Sequence, residues 1–157
     1  MKARPGFQYF AAFILCCSLT TFLSRPMAAQ SAPQTSSSFT SSTLAVHIVG
    51  LRNATGNVRV KLMRDSNPVD SRVLQIDTKN LTADVVFDKL PQGVYSVSLI
   101  HDENMNGKLD TNLFGMPVEG YGFSNNPKKR TGKPGFDETN FQLNQPDVAI
   151  EIKMIYW

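Results

Sequence analysis

From Leu44 onward, apolar and polar residues alternate in short runs with the period of strands, not of helices. Leu44, Val46 and Ile48 fall on one face of 44–49. Val58, Val60 and Leu62 fall on one face of 58–62, with Arg59 and Lys61 pointing the other way. Gly50–Asn57 carries turn chemistry, so these two segments predict a β-hairpin. Further strands are predicted at 73–77, 81–87, 94–100, 141–143 and 148–156. In 94–100 the parity sends Tyr95, Val97 and Leu99 inward and Ser96 and Ser98 outward, after the tight turn Leu90-Pro91-Gln92-Gly93. About seven short strands between Gly, Pro and Asn turns predict an all-β fold, a single antiparallel β-sandwich.

One region breaks the alternation. Residues 101–140 are rich in Gly, Asn and Pro, yet they hold Leu113, Phe114, Met116, Tyr121, Phe123 and Phe136. A loop of that length is functional or disordered, and this one is too apolar for disorder. It is expected to be one long ordered loop packed on the sandwich.

The N-terminus has a different grammar. Lys2 and Arg4 precede an apolar run from Phe10 to Leu23, with small residues at Ala28 and Ala29. That order is the order of a secretory signal peptide, and the run is shorter than the about 20 apolar residues a span needs. Residues 1–29 are therefore expected to be cleaved, with the cut after Ala29 or a few residues later. Cys16 and Cys17 lie inside the apolar run, Cys16 directly after Leu15, so neither has the small residue that lipid modification requires. The mature chain then has no cysteine, hence no disulfide and no thiolate chemistry. Residues 30–43 are rich in Ser and Thr and read as a flexible linker. The domain occupies 44–157, room for one core.

Charge changes its meaning once the leader is removed. The precursor's net +3 loses Lys2, Arg4 and Arg25, three of 16 basic residues against 13 acidic ones. A neutral domain has no general nucleic-acid footprint.

The sharpest chemical signal is His101-Asp102-Glu103-Asn104-Met105-Asn106-Gly107-Lys108-Leu109-Asp110. Oxygen-bearing side chains recur at Asp102, Asn104, Asn106 and Asp110. Gly107 permits a sharp bend, the Lys108 carbonyl can add an oxygen, and Leu109 stands where such a loop is tied to the core. This is the spacing of a calcium loop. Leu113 stands where a bidentate Glu belongs, no helices flank the segment, and two ligands are neutral, so a weak Ca2+ site is expected, with Glu119 able to return as a carboxylate. The plainer reading is an Asn/Gly turn closed by its own hydrogen bonds. His101 continues the inward parity and reads as a hydrogen-bonded core histidine. With His47 as the other histidine, zinc lacks ligands. Ser124 lacks the glycine surroundings of a nucleophile elbow. Lys128-Lys129-Arg130 with Lys133 is a basic loop, read as a solvated tip with an anionic ligand as the sharper alternative. Asn53-Ala54-Thr55 and Asn80-Leu81-Thr82 match sequons that matter only in a eukaryotic secretory pathway.

Leu90-Pro91-Gln92-Gly93-Val94-Tyr95, the His-Asp-x-Asn-x-Asn-Gly segment and Gly120-Tyr121-Gly122-Phe123-Ser124-Asn125-Asn126 together resemble the DUF2141 family of exported bacterial proteins. The resemblance runs from Leu44 to the C-terminus and implies a periplasmic or secreted domain without a known activity. The Pro-x-Gly-x-Tyr turn is also similar to transthyretin-like and carboxypeptidase-regulatory-like sandwiches, mostly binding or scaffolding modules. The hydrolase signature Tyr-Arg-Gly-Ser found in some of the former is absent from the C-terminal Met154-Ile155-Tyr156-Trp157.

The functional expectation is a monomeric, non-enzymatic binding or structural module of the bacterial envelope. Its partner is an envelope component or a small ligand, with no nucleic acid and no membrane span after leader cleavage. The competing expectation is a periplasmic enzyme with His101, Asp102 and Glu119 in a pocket under the long loop. N-terminal sequencing of the exported protein is expected to start between Ala28 and Pro33, with no lipid on cysteine. A chain starting at an acylated Cys16 or Cys17 would make it a lipoprotein instead.

Overall fold

The computed structural model describes residues 40–128 and 132–157. The leader expected at 1–29, and the linker up to residue 39, lie outside the described residues. Eight strands and one helical turn follow: β1 (Ser42–Val49), β2 (Asn57–Arg64), β3 (Asn67–Leu74), β4 (Ala83–Leu90), β5 (Gly93–Asp102), β6 (Gly120–Phe123), α1 (Phe136–Thr139), β7 (Phe141–Leu143) and β8 (Asp147–Lys153). They form two sheets, one ordered β4-β1-β8 and one ordered β3-β2-β5-β6, with β7 also on β5. The fold is an all-β sandwich.

The inward parities hold. Leu44, Val46, Ile48, Phe87 and Ile152 of one sheet are buried with Val58, Val60, Leu62, Tyr95, Val97 and Leu99 of the other. Each such side chain contributes about 1.5–3 kcal/mol by leaving water. β1 begins at Ser42, two residues before the expected start. Its Thr43 N–H donates to the Pro146 carbonyl (2.7 Å), which anchors the strand's first turn of ladder.

Several pairings differ from expectation. β1 and β2 are not a hairpin, because they lie in different sheets. Both edges of β1 are taken by β4 and β8, and residues 50–56, with Leu51 buried, carry the chain across to the other sheet. The hairpin is β2–β3, turned by Asp65 and Ser66, both at positive φ (48° and 68°) as a two-residue loop requires. β3 lies six residues earlier than expected. It is a mostly exposed edge strand with little apolar alternation, and it admits Pro68 because an edge tolerates a missing donor. The sandwich is also not wholly antiparallel: β1 and β8 run parallel, Leu44 beside Val148 through Val49 beside Lys153. The eighth strand, β6, is short and lies within the region read as one loop.

The Pro-x-Gly-x-Tyr turn acquires a structural meaning here. It carries the chain from β4 to β5, hence from one sheet to the other. The buried Tyr95 ring reaches back so that its hydroxyl donates to the Pro91 carbonyl (2.8 Å). Arg64 closes the turn from outside, donating to the Gln92 carbonyl (2.9 Å) while its guanidinium lies 5.8 Å from the Tyr95 ring centre. Burial pushes the Tyr95 phenol above its ordinary value.

Two glycines at positive φ separate backbone strain from crowding. At Gly56 (φ 75°) a Cβ would run into the Asp102 carbonyl and come within 2.6 Å of Glu103 Cα. At Gly115 (φ 76°) it would meet nothing within 4 Å. Gly56→Ala is therefore expected to cost about 3 kcal/mol, backbone strain plus overpacking, and Gly115→Ala about 1 kcal/mol, both read from urea unfolding. Equal losses at the two sites would show that the contact at Gly56 yields.

Candidate binding cleft

The excursion after β5 starts from a buried carboxylate. Asp102 ends the strand without solvent contact. Its Oδ1 accepts the Asn106 N–H (2.9 Å), its Oδ2 accepts the Gly107 N–H (2.8 Å), and the Arg59 guanidinium stands 3.5 Å away. Met105 and Gly107, both at positive φ, turn the backbone so that these donors face the acid. Glu119, also buried, ties the two ends of the segment: its carboxylate accepts the Glu103 N–H (2.9 Å) and the Asp110 N–H (3.1 Å).

Of the residues with calcium-loop spacing, Asn104, Asn106 and Asp110 meet, while Asp102 holds the backbone beneath them. Asp110 Oδ2 accepts the side-chain amides of both Asn104 (2.6 Å) and Asn106 (2.9 Å). Asn104 Oδ1 accepts the Asn106 N–H (3.1 Å), and Asn106 Oδ1 accepts the Lys108 N–H (2.8 Å). The loop is thus closed by hydrogen bonds of its own. A carbonyl or carboxylate oxygen has two acceptor positions, so those holding a single N–H keep one for an ion. Arg59 beside Asp102 would compete for it. Among the described residues no group of three or more His, Cys, Asp or Glu side chains is arranged to hold a metal. Leu109 is not in the interior as expected. The loop turns outward here, and Leu109 packs over the outer face of the second sheet.

His101, Asp102 and Glu119 do not converge on a cavity. His101 faces the interior, fully buried, with Nε2 2.8 Å from the Thr55 carbonyl and Nδ1 2.7 Å from the Tyr156 hydroxyl. A carbonyl only accepts, so Nε2 carries a proton and donates to Thr55. Asp102, the next residue along the strand, points to the opposite side. Around His101 the structure adds residues that sequence reasoning missed. Arg52 donates to Glu103 Oε1 (2.7 Å) and the Val118 carbonyl (3.0 Å), and it lies 4.8 Å from the Tyr156 ring centre. Burial pushes the Tyr156 phenol up. Gly120 leaves room for that ring, because any Cβ there would enter it.

Ser124-Asn125-Asn126 is a staple. The Val97 N–H donates to Ser124 Oγ (2.9 Å), Asn125 Nδ2 donates to the Asn140 carbonyl (2.6 Å), and Asn126 takes the Lys153 N–H (2.8 Å) and returns an amide to Glu151 (3.0 Å). Three polar side chains thus fasten β6 to β5, to the α1–β7 junction and to β8.

Among the described residues a small pocket lies between Asn126–Lys128 and Lys153–Tyr156, and a larger cleft lies on the outer face of the second sheet. Register builds its floor: Arg59 pairs with Ile100 and Ile100 with Tyr121 in one row, and Lys61 pairs with Ser98 and Ser98 with Phe123 in the next. Leu109, Met116 and Pro117 of the excursion form one wall, with Lys133 and Trp157 also at the surface of the cleft. Its volume is about 680 Å³, within the range of small-molecule sites. Three cationic side chains line it and no carboxylate side chain does. The basic loop's Lys129 and Arg130 lie outside the described residues, but Lys133 belongs to this cleft. One sequence signal did point here: apolar Ile100 stands on the polar parity of β5, and Tyr121 and Phe123 alternate with glycine.

The fold is an all-β sandwich of two sheets, with an ordered excursion beside a cleft. The chain belongs to the DUF2141 family, described as uncharacterised proteins conserved in bacteria, whose profile matches residues 46–151. No curated protein and no solved structure matches it.

The Arg52–Glu103 pair gives a pH prediction. Burial pushes the Glu103 carboxyl up, but the hydrogen bond and charge of Arg52 outweigh it and hold the group below its ordinary value of 4.5. Its contribution to stability is therefore complete above that value and is lost as pH falls through the depressed one. The melting-temperature advantage of wild type over Glu103→Gln is expected to shrink between about pH 6 and about pH 3. A constant difference would mean that Glu103 acts by packing alone.

Proposed function

We propose that this chain is a monomeric, non-enzymatic binding module, exported to the bacterial envelope and carrying a small ligand in the cleft on its second sheet. The carrying observation is the cleft itself: a floor set by strand register, a wall set by a hydrogen-bonded excursion, and an apolar surface with a few polar groups. The non-enzymatic reading is supported by the candidate acid–base groups. His101, Asp102 and Glu119 are committed to backbone and phenol partners, and none of them lines the cleft. Export is supported by the positive, apolar, small order of residues 1–29.

The excursion also holds Ca2+ weakly, with Asp102, Asn104, Asn106, Asp110 and the Lys108 carbonyl as donors. Supporting this are the spacing of the donors and the acceptor position that Asn104 Oδ1 and Asn106 Oδ1 each keep beside a single N–H. Affinity falls at the weak end, roughly 0.1–1 mM, because two donors are neutral amides.

Native mass spectrometry of protein produced with its leader tests both parts. The expected spectrum shows a bound small molecule, which Ser98→Phe removes by filling the cleft, and a calcium adduct, which chelator removes. About 10 mM Ca2+ should raise the melting temperature by a few degrees, and Asp102→Ala should abolish that response. A bare polypeptide mass under all conditions overturns the binding reading. Equal destabilisation of Asp102→Ala with and without Ca2+ removes the ion and leaves Asp102 as a cap for backbone N–H groups.

A further inference from the structure

Every charged side chain that lines the cleft is basic: Arg59, Lys61 and Lys133. The Arg59 charge is shared with buried Asp102 at 3.5 Å. Among the described residues the Lys61 and Lys133 side chains have no hydrogen-bond or ionic partner. Around them the surface is apolar: Ile100, Leu109, Met116 and Phe123. A polar solute would leave that surface unmatched, and a neutral apolar one would leave the two exposed ammonium groups at the cleft without a counter-charge. The pairing that satisfies both is an apolar chain ending in an anion. The turn that supplies Met116 also holds Leu113 and Phe114 fully in solvent. Asn112 Oδ1 accepts the N–H groups of Phe114 (2.9 Å) and Met116 (3.0 Å) and fixes that turn. The segment that supplies the wall thus also carries two exposed apolar side chains.

We infer that the cleft ligand is a single-chain amphiphilic anion taken from solution, its headgroup held by Lys61 and Lys133 and its chain lying between the sheet and the excursion. This rests on the binding-module reading and adds the ligand's chemical class.

Trp157 is the one tryptophan of the chain and lies on the cleft. Its emission therefore reports occupancy in the full-length mature protein. Decanoate, decanol and decyltrimethylammonium, each below its aggregation concentration, share a chain and differ in charge. Decanoate is expected to shift Trp157 emission saturably and to bind at least about tenfold tighter than decanol, the effect of one charge-assisted hydrogen bond. Lys61→Ala with Lys133→Ala should erase that advantage and leave decanol binding and the melting temperature unchanged, since neither lysine holds the fold together. Decanol binding as tightly as decanoate, or the cation binding tighter, overturns the anion assignment and leaves the binding module standing. The absence of a saturable response to all three overturns both.

Discussion

A carboxylate without solvent contact is tolerated only where donors surround it. Asp102 meets that condition by drawing the backbone of the following residues around itself. The N–H groups of Asn106 and Gly107 approach because the acid cannot be left bare, and Arg59 sits where its charge is nearest. Glu119 repeats the arrangement nine residues beyond Asp110. Between them the two acids turn a polar, glycine-bearing segment into a fixed wall. Without them the outer face of the second sheet would be an ordinary open β surface, and the rows Arg59–Ile100–Tyr121 and Lys61–Ser98–Phe123 would enclose nothing.

Strand parity was legible because a half-buried strand repeats every two residues whatever sheet it joins. Tyr95, Val97, Leu99 and His101 were placed inward by that rule alone, and all four are buried. Sheet membership was not legible. The residues after Val49 announce a reversal of the chain, but reversal within a sheet and passage between sheets draw on the same Gly and Asn residues. β3 was displaced for a related reason: an exposed edge buries little, so its residues carry no periodicity to read. β6 was hidden because its inward positions are Gly120 and Gly122, which leave no apolar alternation on that face.

For the site, spacing and fate came apart. Of the Asp/Asn pattern, Asn104 and Asn106 meet at Asp110 while Asp102 takes backbone N–H groups, and the plainer turn reading named the kind of bond that closes the loop. What linear spacing could not contain was the cleft, since its floor is a product of register across three strands. Ile100 adjoins Arg59 and Tyr121 only because β5 pairs with β2 on one side and β6 on the other. Trp157 and Lys133 arrive from segments with no local pattern of their own. The segments that carry the resemblance are likewise mostly structural. Ser124, Asn125 and Asn126 spend their side chains on backbone groups of other elements, and Tyr95 spends its hydroxyl on Pro91.

The parallel partnership of β1 and β8 sets an order of events. About a hundred residues separate Leu44 from Val148, and nothing nearer can occupy that edge of β1. Until residues 147–153 exist and have been delivered, the central strand of its sheet is half paired and offers a row of open N–H and C=O groups to any extended neighbour. Contacts of such long sequence separation form slowly, because a large loop must close before the ladder rewards it. A nascent copy that lacks its final strand is therefore both unable to finish folding and equipped to join another unfinished copy. Premature termination shortly before residue 147 should thus yield aggregates, not a smaller soluble domain.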